Sequence, residues 1–236
     1  MSTAIITGGA VRLGKEFALH LAKEGYNVAI LYNSSKREAE DTLAEIKGLG
    51  VTGKGYQFEL RNVEGIPSLM NEILHDFKDV SILINSASIF PKASIAETEI
   101  KDMYEAMDVN LFAPFILMRE YYRKVKKGNI INILDERIAT NSPTRAAYLL
   151  SKSALERLTY MAAIEFAPDI RVNGIAPGLI LQKEGVDTKY FAKRSKDVPM
   201  GRSGGVDSLL TGIDYLLNNQ FVTGEVLYID GGESKG

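Results

Sequence analysis

Thr3-Ala4-Ile5-Ile6-Thr7-Gly8-Gly9-Ala10-Val11-Arg12-Leu13-Gly14 is the stretch that decides the fold. Its first five residues are β-branched or apolar and read as a strand with both faces covered. Two glycines follow at once, and from Leu13 to Glu24 the apolar residues recur at helical spacing. A strand, a tight glycine turn and a helix make one βα unit. The turn sets the unpaired N–H groups of the helix N-terminus where they can meet a phosphate.

The same alternation continues along the chain. Further strands are predicted at Asn27–Tyr32, Gly55–Leu60, Val80–Asn85, Asn129–Leu134, Ile170–Ile175 and Glu225–Ile229. Helical periodicity marks Lys36–Leu49, Val63–Phe77, Ile100–Lys126, Arg145–Phe166 and Val206–Leu217. Ser34 or Ser35 suits the N-cap of the Lys36 helix, and Gly48 and Gly50 suit its end. Continuous apolar runs such as Val28-Ala29-Ile30-Leu31 belong to strands buried on both faces. Right-handed crossovers then predict an α/β chain: a Rossmann-like doubly wound sheet of about seven parallel strands, with helices on both faces. Without an internal repeat or linker, residues 1–236 are expected to form one domain. The segment 178–205, bounded by Pro177-Gly178 and Gly204-Gly205, is charged and lacks a strand. It leaves the carboxyl end of a predicted strand, where ligands bind in such sheets, and is expected to act as a substrate lid.

Composition narrows the function classes. The 236 residues are 45% hydrophobic and 25% charged, an ordinary globular balance, and the net charge is −2. Such a charge excludes the electrostatic footprint of a nucleic-acid binder. The basic cluster Arg123–Lys127 reads as the solvated end of a helix. With no cysteine, disulfides, thiol catalysis and Cys-ligated zinc are excluded, and a reducing cytosol fits. His20 and His75 are the only histidines, so no metal site or His-based triad is expected. The start of the chain carries no charged leader, and the longest apolar stretch, Leu111–Met118, is far short of the roughly 20 residues of a membrane span. A cytoplasmic protein without a membrane partner is expected.

Competing readings exist for the glycine loop. Gly9 to Lys15 spells the start of a Walker A motif, but Glu16 stands where magnesium needs a hydroxyl and would repel phosphates. The strict G-x-G-x-x-G fingerprint is absent, and a tight structural turn is the plain alternative. Cofactor choice is written after the second strand. NAD sites place a carboxylate there for the ribose 2′-hydroxyl, whereas this chain has Asn33, Ser34, Ser35, Lys36 and Arg37. Small donors and cations suit a 2′-phosphate, which favours NADP(H). The same residues also suit helix capping and a solvated surface. Tyr148-Leu149-Leu150-Ser151-Lys152 sets a phenol and an ammonium on one helix face. A nearby cation favours phenolate and would tune Tyr148 for proton transfer, although an amphipathic surface pair has the same spacing.

Taken together, these residues resemble the short-chain dehydrogenases/reductases over nearly the whole chain. The loop is similar to the family's T-G-x-x-x-G-x-G, with Arg12 in place of the middle glycine. Asn85-Ser86-Ala87-Ser88 resembles N-N-A-G, and Ile175-Ala176-Pro177-Gly178 the P-G turn on the nicotinamide side. Val198-Pro199-Met200-Gly201-Arg202 and Thr223-Gly224 with Asp230-Gly231-Gly232 resemble the C-terminal signatures. The resemblance implies cofactor contacts from Gly8, Arg12, Leu13, Gly14, Asn33, Ser34, Ser35, Glu59, Leu60, Asn85, Ser86, Ala87, Tyr148, Lys152, Pro177 and Gly178. Glu59 stands where the family has an Asp against adenine. The resemblance also implies an Asn110 that orders a proton-relay water, and a homotetramer packed through the Ile100–Lys126 and Arg145–Phe166 helices.

One departure carries the most information. About thirteen residues before its tyrosine the family has a serine that hydrogen-bonds a carbonyl or hydroxyl; here that position is Asp135. A carboxylate cannot donate to a carbonyl and would oppose ionisation of Tyr148, but it can accept from ring nitrogens and amino groups. Arg12, Ser88, Phe90 and Asp135 together resemble the pteridine reductase branch, which includes the dihydromonapterin and dihydrofolate reductases. That resemblance implies an Arg12 bridging cofactor phosphate and pterin, a substrate contact from Ser88, and a Phe90 stacked on the pterin opposite the nicotinamide. Asp135, Tyr148 and Lys152 would work together. The activity implied is NADPH-dependent hydride transfer to a ring C=N of a dihydropterin of the dihydromonapterin, dihydrobiopterin or dihydrofolate type, giving the tetrahydro form. A carbonyl reductase acting on a ketone, sugar or 3-oxoacyl substrate is the alternative, opposed by Asp135. A non-catalytic NADP(H)-binding regulator is opposed by the retained Tyr148, Lys152 and Asn110.

Overall fold

β1 (Thr3–Thr7) is buried at every residue, and its side chains alternate between two apolar clusters. Ile5 enters one, and Ala4 and Ile6 enter the other. The computed structural model describes residues 1–140, 142–182 and 188–235. β2 (Asn27–Tyr32) and β3 (Gly53–Gln57) extend the sheet on one side of β1. β4 (Val80–Asn85), β5 (Gly128–Ile133), β6 (Ile170–Pro177) and β7 (Val226–Ile229) extend it on the other. The order is β3-β2-β1-β4-β5-β6-β7, and every neighbouring pair is parallel.

Helices cover both faces. α1 (Arg12–Lys23), α2 (Lys36–Gly48) and α8 (Val206–Asn218) bury Phe17, Leu21, Ile46, Leu209 and Ile213 against Ile6, Ile30 and Ile84. α3 (Ile66–Asp76), α5 (Ala113–Lys124) and α6 (Ala146–Glu165) bury Met70, Ile73, Leu117, Tyr121 and Ala162 against Ile5, Leu83 and Ile130. Each fully buried Leu, Ile or Phe is worth about 1.5–3 kcal/mol, so the sheet is held from both sides. From β1 the chain moves outward to β2 and β3 and then returns to β4 beside β1. Crossovers therefore leave β1 and β4 in opposite directions and open a crevice at their carboxyl ends.

Several boundaries differ from the sequence expectation, for physical reasons. β3 starts two residues early, at Gly53, and ends at Gln57. Gly53 and Gly55 pair with Val28 and Ile30 of β2, and α2 packs close over them, Ile46 and Leu43 on Gly53 and Leu43 on Gly55. Leu60 is buried beyond the strand end rather than within it. The helix expected from Val63 opens with a 3₁₀ turn, Val63–Gly65, in which Asn62 Oδ1 accepts from the Gly65 N–H at 3.2 Å. Ser35 occupies the N-cap position of α2 without capping it through its side chain.

The stretch expected as one helix from Ile100 to Lys126 is two helices, α4 (Ile100–Met107) and α5, joined by a π turn at Asp108–Phe112. The 178–205 segment is not irregular throughout: its described part contains α7 (Thr188–Asp197). Its ends are pinned together where the Gly204 N–H donates to the Leu179 carbonyl at 2.9 Å. Residues 183–187 of the expected lid lie outside the described residues. Among the described residues no helix is long and apolar enough to cross a membrane, and no cluster of three metal-ligating side chains occurs.

Candidate active site

A cleft of about 700 Å³ lies across the carboxyl ends of β1, β2, β4, β5 and β6. Its floor is tied together by Thr7, whose Oγ1 accepts from the Ser86 and Ala87 N–H groups, both at 2.9 Å. The glycine loop forms one wall. Gly8 has φ +68°, and a Cβ on Gly14 would collide with the Gly8 carbonyl, so the loop closes only with glycine at both positions. Arg12 adopts a left-handed conformation, φ 50°, at the opening of α1. No side chain caps that helix and its first turn holds no acid, so its N–H groups are left for a ligand.

Gly8, Arg12, Leu13, Gly14, Asn33, Glu59, Leu60, Ser86, Ala87, Ser88, Phe90, Asp135, Tyr148, Lys152, Pro177 and Gly178 all line this one cleft. Residues scattered over most of the chain thus converge on one cleft. Ser34, Ser35, Asn85 and Asn110 do not line it. Asn85 is buried below the floor, where its Nδ2 donates to Asn132 Oδ1 at 2.8 Å; Asn132 Nδ2 in turn donates to Thr159 Oγ1 at 2.9 Å. This strap joins β4, β5 and α6.

Asn110, fully buried in the π turn, is also a strut. Its Oδ1 accepts from Ser88 Oγ (3.1 Å) and the Ile89 N–H (2.9 Å), and its Nδ2 donates to the Ile89 carbonyl (3.1 Å) and Ser151 Oγ (3.0 Å). Both donors and both acceptor positions of the amide are therefore used within the protein. Asn110 fixes the Ser88–Phe90 loop against α6. Asn110→Ala should cost about 1–3 kcal/mol by orphaning the Ile89 backbone groups, and should lower kcat by freeing Phe90. Chemical denaturation together with steady-state kinetics checks both effects.

At one end of the cleft, Asn33 after β2 meets Glu59 after β3, the acid that the resemblance sets against adenine. Asn33 Nδ2 donates to Glu59 Oε2 at 2.7 Å, and Arg61 pairs with the same carboxylate at 2.8 Å. The Arg61 hydrogen bond holds the Glu59 carboxyl below its usual range. The guanidinium offsets the negative charge that would otherwise sit beside this end of the cleft.

At the other end stands the candidate chemistry. Tyr148 Oη donates to Asp135 Oδ2 at 2.7 Å, and Asp135 Oδ1 accepts from the Arg137 N–H at 3.0 Å. Lys152, buried within α6, donates from Nζ to the Ile133 carbonyl at 2.7 Å. Burial pushes the Lys152 ammonium down to about 8, with the Asp135 carboxylate opposing. Its Nζ lies 5.9 Å from the Tyr148 ring centroid. The expectation that Lys152 lowers the phenol is corrected here: burial and the Asp135 carboxylate push Tyr148 well above its ordinary value. Tyr148 is thus a neutral hydrogen-bond donor. Phe90 meets it edge-on, with centroids 4.3 Å apart and planes at 87°, and the Arg145 guanidinium lies 3.9 Å from the Phe90 ring centre.

Two residues of this end escape sequence reading. Arg145 has a left-handed backbone, φ 60°, at the N-terminus of α6, for which a single sequence gives no signal. Glu136 is buried beside Asp135, and the one hint of it is a second acid after Ile133-Leu134.

The profile of the enoyl-(acyl carrier protein) reductase group matches residues 9–234. Glucose 1-dehydrogenase 2 of Bacillus subtilis is 30% identical over 241 residues, covering 98% of this chain and 93% of that protein. The 3-oxoacyl-[acyl-carrier-protein] reductase FabG of Staphylococcus aureus is 27% identical over 238 residues, covering 98% and 97%. Among solved structures, the FolM alternative dihydrofolate reductase 1 of Brucella suis in complex with NADP superposes with a TM-score of 0.94 at 29% identity, covering 100% of this chain and 96% of that one. The chain is therefore an oxidoreductase and belongs to the short-chain dehydrogenase/reductase family.

Proposed function

We propose that this protein reduces a dihydropterin to its tetrahydro form with NADPH, by hydride transfer to a ring C=N. The observation that carries the reading is the Tyr148–Asp135 pair, 2.7 Å apart at one end of the cleft with Phe90 against it. A carboxylate there offers acceptors to an amino-bearing, N–H-rich ring, where a carbonyl substrate needs a donor. The flat Phe90 ring suits an aromatic substrate. Likeness to a FolM structure that holds NADP supports the same reading.

The residues present fit the cofactor. Gly8 and Gly14 keep the loop tight where a Cβ would not fit, and the uncapped α1 N-terminus, with Arg12, suits the pyrophosphate. Asn33 and the Arg61-paired Glu59 border the ribose end, and the cations Lys36 and Arg37 that follow Asn33 in sequence suit a 2′-phosphate. When bound, NADPH supplies the hydride; Lys152 and Pro177-Gly178 hold its nicotinamide end. Arg12 and Ser88 contact substrate, Asp135 and Tyr148 hold its polar edge and handle protons, and Asn110 positions the loop beneath. The reading takes residues 1–236 as one cytoplasmic reductase unit that assembles as a homotetramer. Exposed Tyr104, Phe112, Phe115 and Met161 on α4 to α6 support the assembly.

The sequence relatives named for glucose and 3-oxoacyl substrates favour a second reading, a carbonyl reductase. One experiment separates the two. NADPH absorbance is followed with purified protein against dihydromonapterin, dihydrobiopterin, dihydrofolate and simple ketones, and repeated with NADH. Turnover of a dihydropterin with little of the ketones is expected. The preference for NADPH over NADH should be about 10-fold or more, the worth of one or two charge-assisted hydrogen bonds to the 2′-phosphate. Ketone turnover with silent pterins would replace this reading with the second.

A further inference from the structure

The turn after β7 packs on Gly178, one of the residues that line the cleft. Asp230 folds that turn by accepting from the Gly232 N–H at 2.9 Å and the Ser234 N–H at 2.8 Å. Gly231 and Gly232 supply the left-handed backbone that so tight a turn needs, φ 63° and 95°. Asp230 and Glu233 then press on Gly178, which has no room for a Cβ between them. The Gly178 N–H donates to the Ile229 carbonyl at 3.0 Å. The next N–H, that of Leu179, has a side chain as its acceptor: Glu233 Oε2 at 2.9 Å. Oε1 of the same carboxylate takes Arg194 of α7 at 2.8 Å. The Glu233 side chain is only 10% exposed, so water does not weaken these bonds as it does in surface ion pairs. One carboxylate thus joins the turn after β6, α7 and the turn after β7.

We propose that Glu233 is a positioning residue for hydride transfer, fixing Gly178 and Leu179 against the nicotinamide end of the cofactor. The proposal rests on the reading above, which places that end at Pro177-Gly178, and not on the identity of the substrate. Glu233 does not line the cleft, so it acts through the main chain that it holds. Pro177 has no N–H; the wall is therefore tied down through the N–H groups of Gly178 and Leu179, and Glu233 takes one of the two. Arg194 occupies Oε1 and leaves Oε2 turned to Leu179. Hydride transfer needs its two carbons about 3–3.5 Å apart, and a shift of about 1 Å caused by a remote residue costs about 100-fold in rate. A wall that loses one of two anchors is open to a shift of that kind.

The test uses the full-length protein well below the Tm of each variant, with whichever dihydropterin or carbonyl compound the wild type turns over. Glu233→Ala should lower kcat about 10- to 100-fold and leave KM for NADPH within a small factor of the wild-type value. The fluorescence of bound NADPH, which reports the surroundings of the nicotinamide and needs no substrate, should move toward that of the free cofactor. Glu233→Gln keeps an oxygen for the Leu179 N–H and should recover most of kcat. A contact that merely holds the fold together would lower Tm in Glu233→Ala and leave kcat and fluorescence at their wild-type values, and that result overturns the proposal. A loss that Glu233→Gln fails to relieve overturns it as well. Arg194→Glu reaches the same carboxylate from α7 and serves if Glu233→Ala does not fold. Its added negative charge should push Glu233 off Leu179 and lower kcat about 10-fold; wild-type kcat and fluorescence in this variant overturn the proposal. Silent pterins with a carbonyl compound turned over would remove the substrate reading alone. Pterin turnover at the wild-type rate in Glu233→Ala would remove the role of Glu233 alone.

Discussion

Tyr148→Phe is expected to lower kcat by about 100- to 10,000-fold, the usual worth of a positioned proton-transfer group, while the NADPH dissociation constant stays within a small factor of the wild-type value. The substitution removes one oxygen and keeps the ring against Phe90. That oxygen donates to Asp135 at 2.7 Å, so its loss also frees a partly buried carboxylate from one of its donors. Single-turnover kinetics beside a cofactor titration measure the two effects separately. A comparable loss of NADPH binding would place Tyr148 in cofactor affinity rather than in chemistry. Asp135→Ser is the informative companion. It restores a hydroxyl donor at the position, so dihydropterin turnover should fall while turnover of simple ketones rises.

Gly14→Ala should be the most damaging change in the cofactor wall. The added Cβ meets the carbonyl of Gly8, and main chain cannot swing aside as a side-chain tip can. Either the loop opens or α1 retreats from β1. Overpacking of this kind costs about 1–3 kcal/mol, and the loop that moves is the one that would cradle the pyrophosphate. Loss of measurable NADPH stabilisation in a thermal-shift titration, with a lower Tm for the free protein, is expected. Gly48→Ala is the control. That glycine has open space around it and no left-handed backbone, so the same methyl group should leave the protein unharmed or slightly more stable.

The sheet was legible because its signal is local and repeated: buried strands such as Val28–Leu31 and Ile82–Ile84 are continuous apolar runs. β3 was misplaced because its glycines contribute nothing to propensity. What makes them strand is their pairing with β2 beneath α2, a tertiary fact. In the site, the residues on strand ends and the glycine loop were legible through the family resemblance that their motifs carry. The directions of side chains were not. Asn85 and Asn110 sit at the expected positions but turn inward as struts. Glu59 lines the cleft, but its bond to Asn33, which ties the end of β2 to the end of β3, has no signature in spacing. The phenol shift was half legible: Asp135 opposes its ionisation as expected, but the largest cause is burial, which no single sequence displays.

The π turn at Asp108–Phe112 changes how the helical stretch around it must be understood. Its bond runs from the Ala113 N–H to the Asp108 carbonyl, one residue longer than an α-helical turn. Each residue of an α-helix advances by about 100°, so α5 is rotated out of phase with α4 by about that angle. That slip lets α4 dock on α6 while α5 docks on α3. Deleting a single residue within the turn would bring the two helices back into phase and force a choice. If Leu117 and Tyr121 kept their place against the sheet, the Asn110 amide would swing away from Ile89 and Ser151. If Asn110 held, the apolar side of α5 would turn toward solvent. One surplus residue thus lets the floor of the cleft and the core behind it be satisfied at the same time.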